Sequence, residues 1–81
     1  MSSIYPNPSI DYTTVEIYLN DEILNAELIV YNVLGSEIQK QNVSNMDVLT
    51  LDTRSYTNGI YLFVLKTSNG MVEKKKVIIS K

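Results

Sequence analysis

Along most of this chain apolar and polar residues alternate with a period of two, and turn-forming residues break the alternation at intervals of about 8 to 12. Period two marks a β-strand whose two faces meet different surroundings, because successive side chains point to opposite sides of a sheet. Thr13 to Leu19 is the plainest case: Thr13, Val15, Ile17 and Leu19 share one face, and Thr14, Glu16 and Tyr18 the other. Glu27 to Val33 is apolar on both faces and reads as a central strand. Glu37 to Val43 is mostly polar with only Ile38 directed to the core, so it reads as an exposed strand. Val48 to Leu51, Ile60 to Thr67 and Met71 to Ser80 follow, and Ile4-Tyr5 reads as a first edge strand broken by Pro6 and Pro8. Asn20-Asp21-Glu22, Gly35, Ser44-Asn45 and Asn69-Gly70 supply the turns, and Thr53 to Asn58 is a connection that Asp52 caps. No segment has a convincing amphipathic helical period. About seven short strands predict an all-β chain, an immunoglobulin-like antiparallel β-sandwich without the Cys-Trp-Cys hallmark of antibody domains. Its predicted core is Val15, Ile17, Leu28, Val30, Ile38, Leu49, Leu51, Tyr61, Phe63 and Leu65.

At 81 residues the chain holds one domain, and a domain of this size buries only about 60% of the surface its unfolded form exposes. The hydrophobic share of 44% is too high for a disordered tail, yet no apolar run approaches the roughly 18 residues of a membrane span. There is no Cys and no His. That removes disulfides, thiol nucleophiles, imidazole bases and Cys/His zinc sites together. No cofactor and no enzymatic activity are expected. The carboxylates of Asp11, Asp21, Glu22, Asp47 and Asp52 are scattered among turns and strand ends without calcium-loop spacing, and read as turn formers.

The net charge of −2 hides an asymmetry. Residues 1 to 65 carry eight acids against Lys40 and Arg54, a net of −6, whereas residues 66 to 81 carry five lysines against Glu73, a net of +4. An acidic body with a basic end does not fit nucleic acid, which asks for a basic domain or one broad basic face. The run Lys74-Lys75-Lys76 lies within a strand, so Lys74 and Lys76 share one face and Lys75 takes the other. Two readings stand side by side: lysines that protect a sheet edge from aggregation, and lysines read by an acidic partner. Six of the seven aromatics are Tyr, and Tyr18, Tyr31 and Tyr61 read as core-edge tyrosines with wet hydroxyls.

Four segments, Tyr5-Pro6-Asn7-Pro8, Val30-Tyr31-Asn32-Val33-Leu34-Gly35, Asn58-Gly59-Ile60-Tyr61 and Lys75-Lys76-Val77-Ile78-Ile79, occur in an order and spacing that resemble the C-terminal sorting domain of type IX secretion cargo, type A (the Por secretion system sorting domain). The resemblance covers Ile4 to Lys81, with Met1-Ser2-Ser3 as a start residue and linker remnant. It implies a β-sandwich module at the end of a larger Gram-negative precursor, of which this chain is a fragment. That precursor crosses the inner membrane by its own signal peptide and passes the periplasm. The sorting domain then directs it through the outer-membrane translocon, helped by a shuttle protein, to the cell surface or the medium. A sortase-like peptidase commonly removes the domain, and the cargo is released or attached to lipopolysaccharide. The implied partners are the upstream cargo and that machinery, with no nucleic acid and no membrane insertion. Candidate partner-recognition residues are Lys74, Lys75, Lys76, Lys81, Pro6, Asn7 and Pro8; Gly35, Gly59 and Tyr61 are candidate structural motif residues. The alternative reading is a non-catalytic immunoglobulin-like spacer or glycan-binding module of a surface enzyme or adhesin.

Overall fold

A computed structural model describes residues 3–6, 11–17, 25–44 and 46–81. The strands are β1 (Ser3–Tyr5), β2 (Tyr12–Glu16), β3 (Ala26–Asn32), β4 (Glu37–Asn42), β5 (Val48–Asp52), β6 (Gly59–Thr67) and β7 (Val72–Ile79). They form two antiparallel sheets, one ordered β1-β2-β5 and the other β4-β3-β6-β7. Each of these strands overlaps a segment that the sequence predicts to be a strand. The turn at Asn20-Asp21-Glu22, the end of the second strand at Tyr18 and Leu19, and the prolyl entry at Asn7 and Pro8 lie outside the described residues.

The sheets face one another across a common core. Val15, Leu49 and Leu51 come from the three-stranded sheet; Leu28, Val30, Phe63, Leu65, Val77 and Ile79 come from the four-stranded one. β6 runs between β3 and β7, and its central Phe63 has no exposed surface. In the lettering of immunoglobulin sandwiches, β1, β2 and β5 take the places of A, B and E, and β3, β6 and β7 those of C, F and G. The fourth strand departs from the constant-type pattern. It pairs with β3 in the second sheet instead of joining the first as strand D.

The two hairpins of the four-stranded sheet are built alike. Gly35 N–H donates to the Asn32 carbonyl at 3.0 Å, and Gly70 N–H to the Thr67 carbonyl at 3.1 Å. Each glycine has a φ near +90° (87° and 88°), the left-handed position that closes a three-residue hairpin loop after a type I turn. Asn32 Oδ1 accepts from the N–H groups of both Leu34 and Ser36, at 3.0 and 2.9 Å, so its side chain fixes the first turn.

Ile38 corrects the predicted core. It is 44% exposed. Val30 pairs with Gln39 and Tyr31 with Glu37, leaving Ile38 as the extra residue of a bulge. The register is set by β3, whose inward residues Leu28 and Val30 stand opposite Gln41 and Gln39. The glutamines therefore take the inward face of β4, and the apolar residue that this segment buries is Val43, just beyond the strand. The other nine predicted core residues are buried, and Ala26, Val43, Tyr56, Val77 and Ile79 join them.

Thr13 and Thr53 are also fully buried, and their hydroxyls have no hydrogen-bond partner among the described residues. A buried hydroxyl without a partner keeps its desolvation cost, roughly 1–3 kcal/mol. Thr13→Val replaces it with a methyl of nearly the same shape. The expected result is a melting temperature unchanged or raised by up to about 8 °C, the shift that goes with about 1 kcal/mol in so small a domain. A loss of more than about 1 kcal/mol in a denaturant titration would mean that the hydroxyl is bonded after all.

Candidate recognition surface

The connection from Thr53 to Asn58 organises one end of the sandwich. Tyr56 N–H donates to the Thr53 carbonyl at 3.0 Å, which makes a turn and not a helix. Asp52 Oδ1 accepts from the Arg54 N–H at 3.0 Å, so Asp52 caps the turn as its position predicts. The Arg54 guanidinium returns to the same carboxylate through Nε at 3.0 Å and Nη2 at 2.6 Å, and lies 5.6 Å from the centre of the Tyr12 ring. The side-chain bonds from Arg54, and after them its backbone N–H, hold the Asp52 carboxyl at about 2, well below the ordinary aspartate value.

Two tyrosines seal this end. Their rings lie 5.1 Å apart and are tilted by 44°. Tyr61, at the start of β6, donates its hydroxyl back to the Thr57 carbonyl at 2.8 Å. That is the tyrosine corner of immunoglobulin sandwiches: a Tyr entering strand F, tied to backbone a few residues upstream. Its hydroxyl is thus bonded inside the molecule, where the sequence suggested a wet one. Tyr56 donates to Gln39 Oε1 at 2.7 Å, and burial pushes its phenol pKa up.

The proposed motif residues divide into two groups. Gly35, Gly59 and Tyr61 shape backbone and core: Gly59 adopts a φ of +152° as β6 begins, next to Asn58. Lys81 is exposed and also has a structural part. Its backbone N–H donates to Asn58 Oδ1 at 3.0 Å and its ammonium donates to the Arg54 carbonyl, so the last residue is tied to the 53–58 connection. Pro6 is exposed and follows a cis peptide bond from Tyr5.

Lys74, Lys75 and Lys76 lie on β7, which is an edge strand of its sheet. Lys74 pairs with Val64 and Lys76 with Leu62, on the outer face of the sheet. Lys75 pairs with the buried Phe63 and therefore takes the inner side, at the rim of the core. Sequence alternation anticipates this split. It does not anticipate what joins Lys74 and Lys76. Register places Lys40 and Lys66 on the same outer face, against Glu27 and Glu37. Lys40 and Glu27 are 3.5 Å apart. Four lysines against two carboxylates leave that face at +2 among the described residues.

Between the tip of the first hairpin and these lysines the outer face is hollowed. A groove of about 510 Å³ is floored by Tyr31, Ile60, Leu62 and Val64 and bounded by Val33 and Gly35 on one side and Lys74 and Lys76 on the other. At the hairpin tip Leu34 is 87% exposed. The opposite outer face has another character: among the described strand residues it carries Glu16 and Asp52 and no lysine or arginine, and the Arg54 guanidinium that lies over Tyr12 is paired with Asp52. Asp11 and Asp47 flank that sheet, each accepting one bond at its backbone carbonyl from the adjoining segment, Asp11 from the Thr53 N–H and Asp47 from the Ile17 N–H.

The family model described as secretion system C-terminal sorting domain matches residues 3–80 of the chain. No curated protein matches it.

Proposed function

Since the chain belongs to the type IX secretion system C-terminal sorting domain family, in which the domain is a sorting signal and not an enzyme, we propose that it is the folded address of a larger cargo protein, read by its surface. The cargo of such a domain is a secreted or cell-surface protein, and the domain engages the type IX machinery. In the reading proposed here the domain spans Ile4 to Lys81. The cargo reaches the outer membrane through the periplasm, meets a shuttle and the translocon there, and loses the domain to a sortase-like peptidase.

One observation supports recognition of the folded surface over recognition of a linear string. The family-like segments are spent largely on the fold. Asn32 and Gly35 make a turn, Asn58 holds the terminal residue, Tyr61 makes the corner, and Val77 and Ile79 enter the core. Lys74 and Lys76 are exposed on the outer face of the sheet. Surface lysines contribute no more than about 1 kcal/mol each to stability. Replacing Lys74, Lys75 and Lys76 together by Gln is therefore expected to leave the melting temperature nearly unchanged and to trap a fused reporter in the periplasm. Reporter activity in the medium, on the surface and in the periplasm measures this. A folded triple variant exported at the normal rate would leave the lysines as edge protection only. Sortase-like removal has its own readout: the mass of the exported reporter falls by that of the domain.

A further inference from the structure

We propose that the groove on the outer face of the β4-β3-β6-β7 sheet receives an extended segment of a partner protein in which an apolar side chain is flanked by carboxylates. This deepens the sorting-domain reading and rests on it. The floor of the groove is apolar, formed by Tyr31, Ile60, Leu62 and Val64. Apolar surface gathered in one exposed concavity with a polar rim marks an interaction site. The cationic rim selects the occupant. Lys74 and Lys76 border the groove, Lys66 and Lys40 stand farther out on the same face, and the face sums to +2 in a chain whose first 65 residues sum to −6. A carboxylate-bearing segment gains from that field, and a basic one is repelled.

Shape separates this occupant from a lipid surface. A bilayer offers a plane, whereas Tyr31, Leu62 and Val64 are half-buried or buried between the Val33–Gly35 hairpin tip and the lysines, with Ile60 the more exposed member. A recess of this kind admits a side chain delivered by an extended segment. Lys75 faces the other way and has no part in the site.

The test has two arms. In the first, the isotope-labelled domain is titrated with a short blocked peptide carrying a central Leu-Phe pair between glutamates. Parallel titrations use a peptide with lysines for the glutamates, one with serines for the apolar pair, and anionic phosphatidylglycerol vesicles. The expected result is that only the first peptide shifts the amide signals of Tyr31, Leu62 and Lys74. Its affinity should fall about tenfold or more in Lys74→Glu/Lys76→Glu and in Leu62→Gln, and stay unchanged in Lys75→Gln. In the second arm the same variants are fused to a reporter and export is measured with the melting temperature. Export should drop about tenfold for the two groove variants and remain normal for Lys75→Gln.

Folded groove variants exported at the wild-type rate would overturn the inference. So would shifts on another face, equal binding of the basic peptide, binding to vesicles alone, or self-association of the domain through this face. If the unaltered domain fails to export the reporter, the sorting reading itself falls, and the peptide titration still decides whether the groove binds such a segment.

Discussion

Phe63→Ala is expected to remove about 3–5 kcal/mol of stability, a large part of what a domain of this length has. Phe63 is completely buried at the centre of β6, opposite Val30 of β3. Truncation to Ala loses both the transfer free energy of the ring and the contacts around the cavity left behind. At roughly 0.05–0.15 kcal/mol per residue, a domain of this length has only about 4–12 kcal/mol in total. The same change in a larger domain would be survivable; here it consumes a large part of the whole. Urea titration followed by circular dichroism gives the number. A loss under 1 kcal/mol would show that the core can close around the gap.

Gly59→Val is the second change of large effect, and it acts by a different route. At φ +152° Gly59 has a backbone that L-residues rarely adopt, and a Cβ built there meets nothing within 4 Å. The penalty is therefore backbone strain and not a clash, and is expected at about 1–3 kcal/mol. A β-branched residue resists that geometry most. The chain can escape only by rotating away, which moves Asn58 and with it the bond to Lys81. A melting temperature lowered by about 5–20 °C is the expected result. Gly59→Ala should lose stability too, since strain follows the presence of a Cβ more than its size. An unchanged melting temperature in the valine variant would show that an ordinary residue fits.

Alternation, apolar runs and turn residues located the strands among the described residues because these signals depend only on neighbours along the chain. The two hairpin glycines were legible for the same reason: a left-handed residue that closes a short turn is a local requirement. What alternation cannot supply is the partner. Ile38 looked core-directed as the one apolar residue in a polar run. Its face was decided by β3, which set the register of β4 and made Ile38 the bulge. Tyr56 sits in a connection without alternation, and its burial depends on the Tyr61 ring and on Gln39 across the sandwich. The recognition surface shows the same limit. The Lys74-Lys75-Lys76 run was visible as a string, but Lys40 and Lys66 join that face through pairing of β4 and β6 with β3. Lys81 was grouped with those lysines by charge; it is exposed, and its bonds to Asn58 and the Arg54 carbonyl, which charge alone does not foretell, tie it to the 53–58 connection.

The fourth strand's choice of sheet has a further consequence. Three strands cannot roof four. The inward positions of β4, Gln39 and Gln41, lie at the overhang and are only half-buried, as are Glu73 and Lys75 at the opening of β7. Peeling β4 from β3 exposes little apolar area and sacrifices mainly ladder hydrogen bonds, whereas separating β3 from β6 opens the core itself. The domain is therefore graded in cohesion from its margins to its middle. A machine that grips it at the β4 margin meets a weaker seam than the one between β3 and β6, and one that pulls on β7 must first undo Val77, Ile79 and the tether of Lys81.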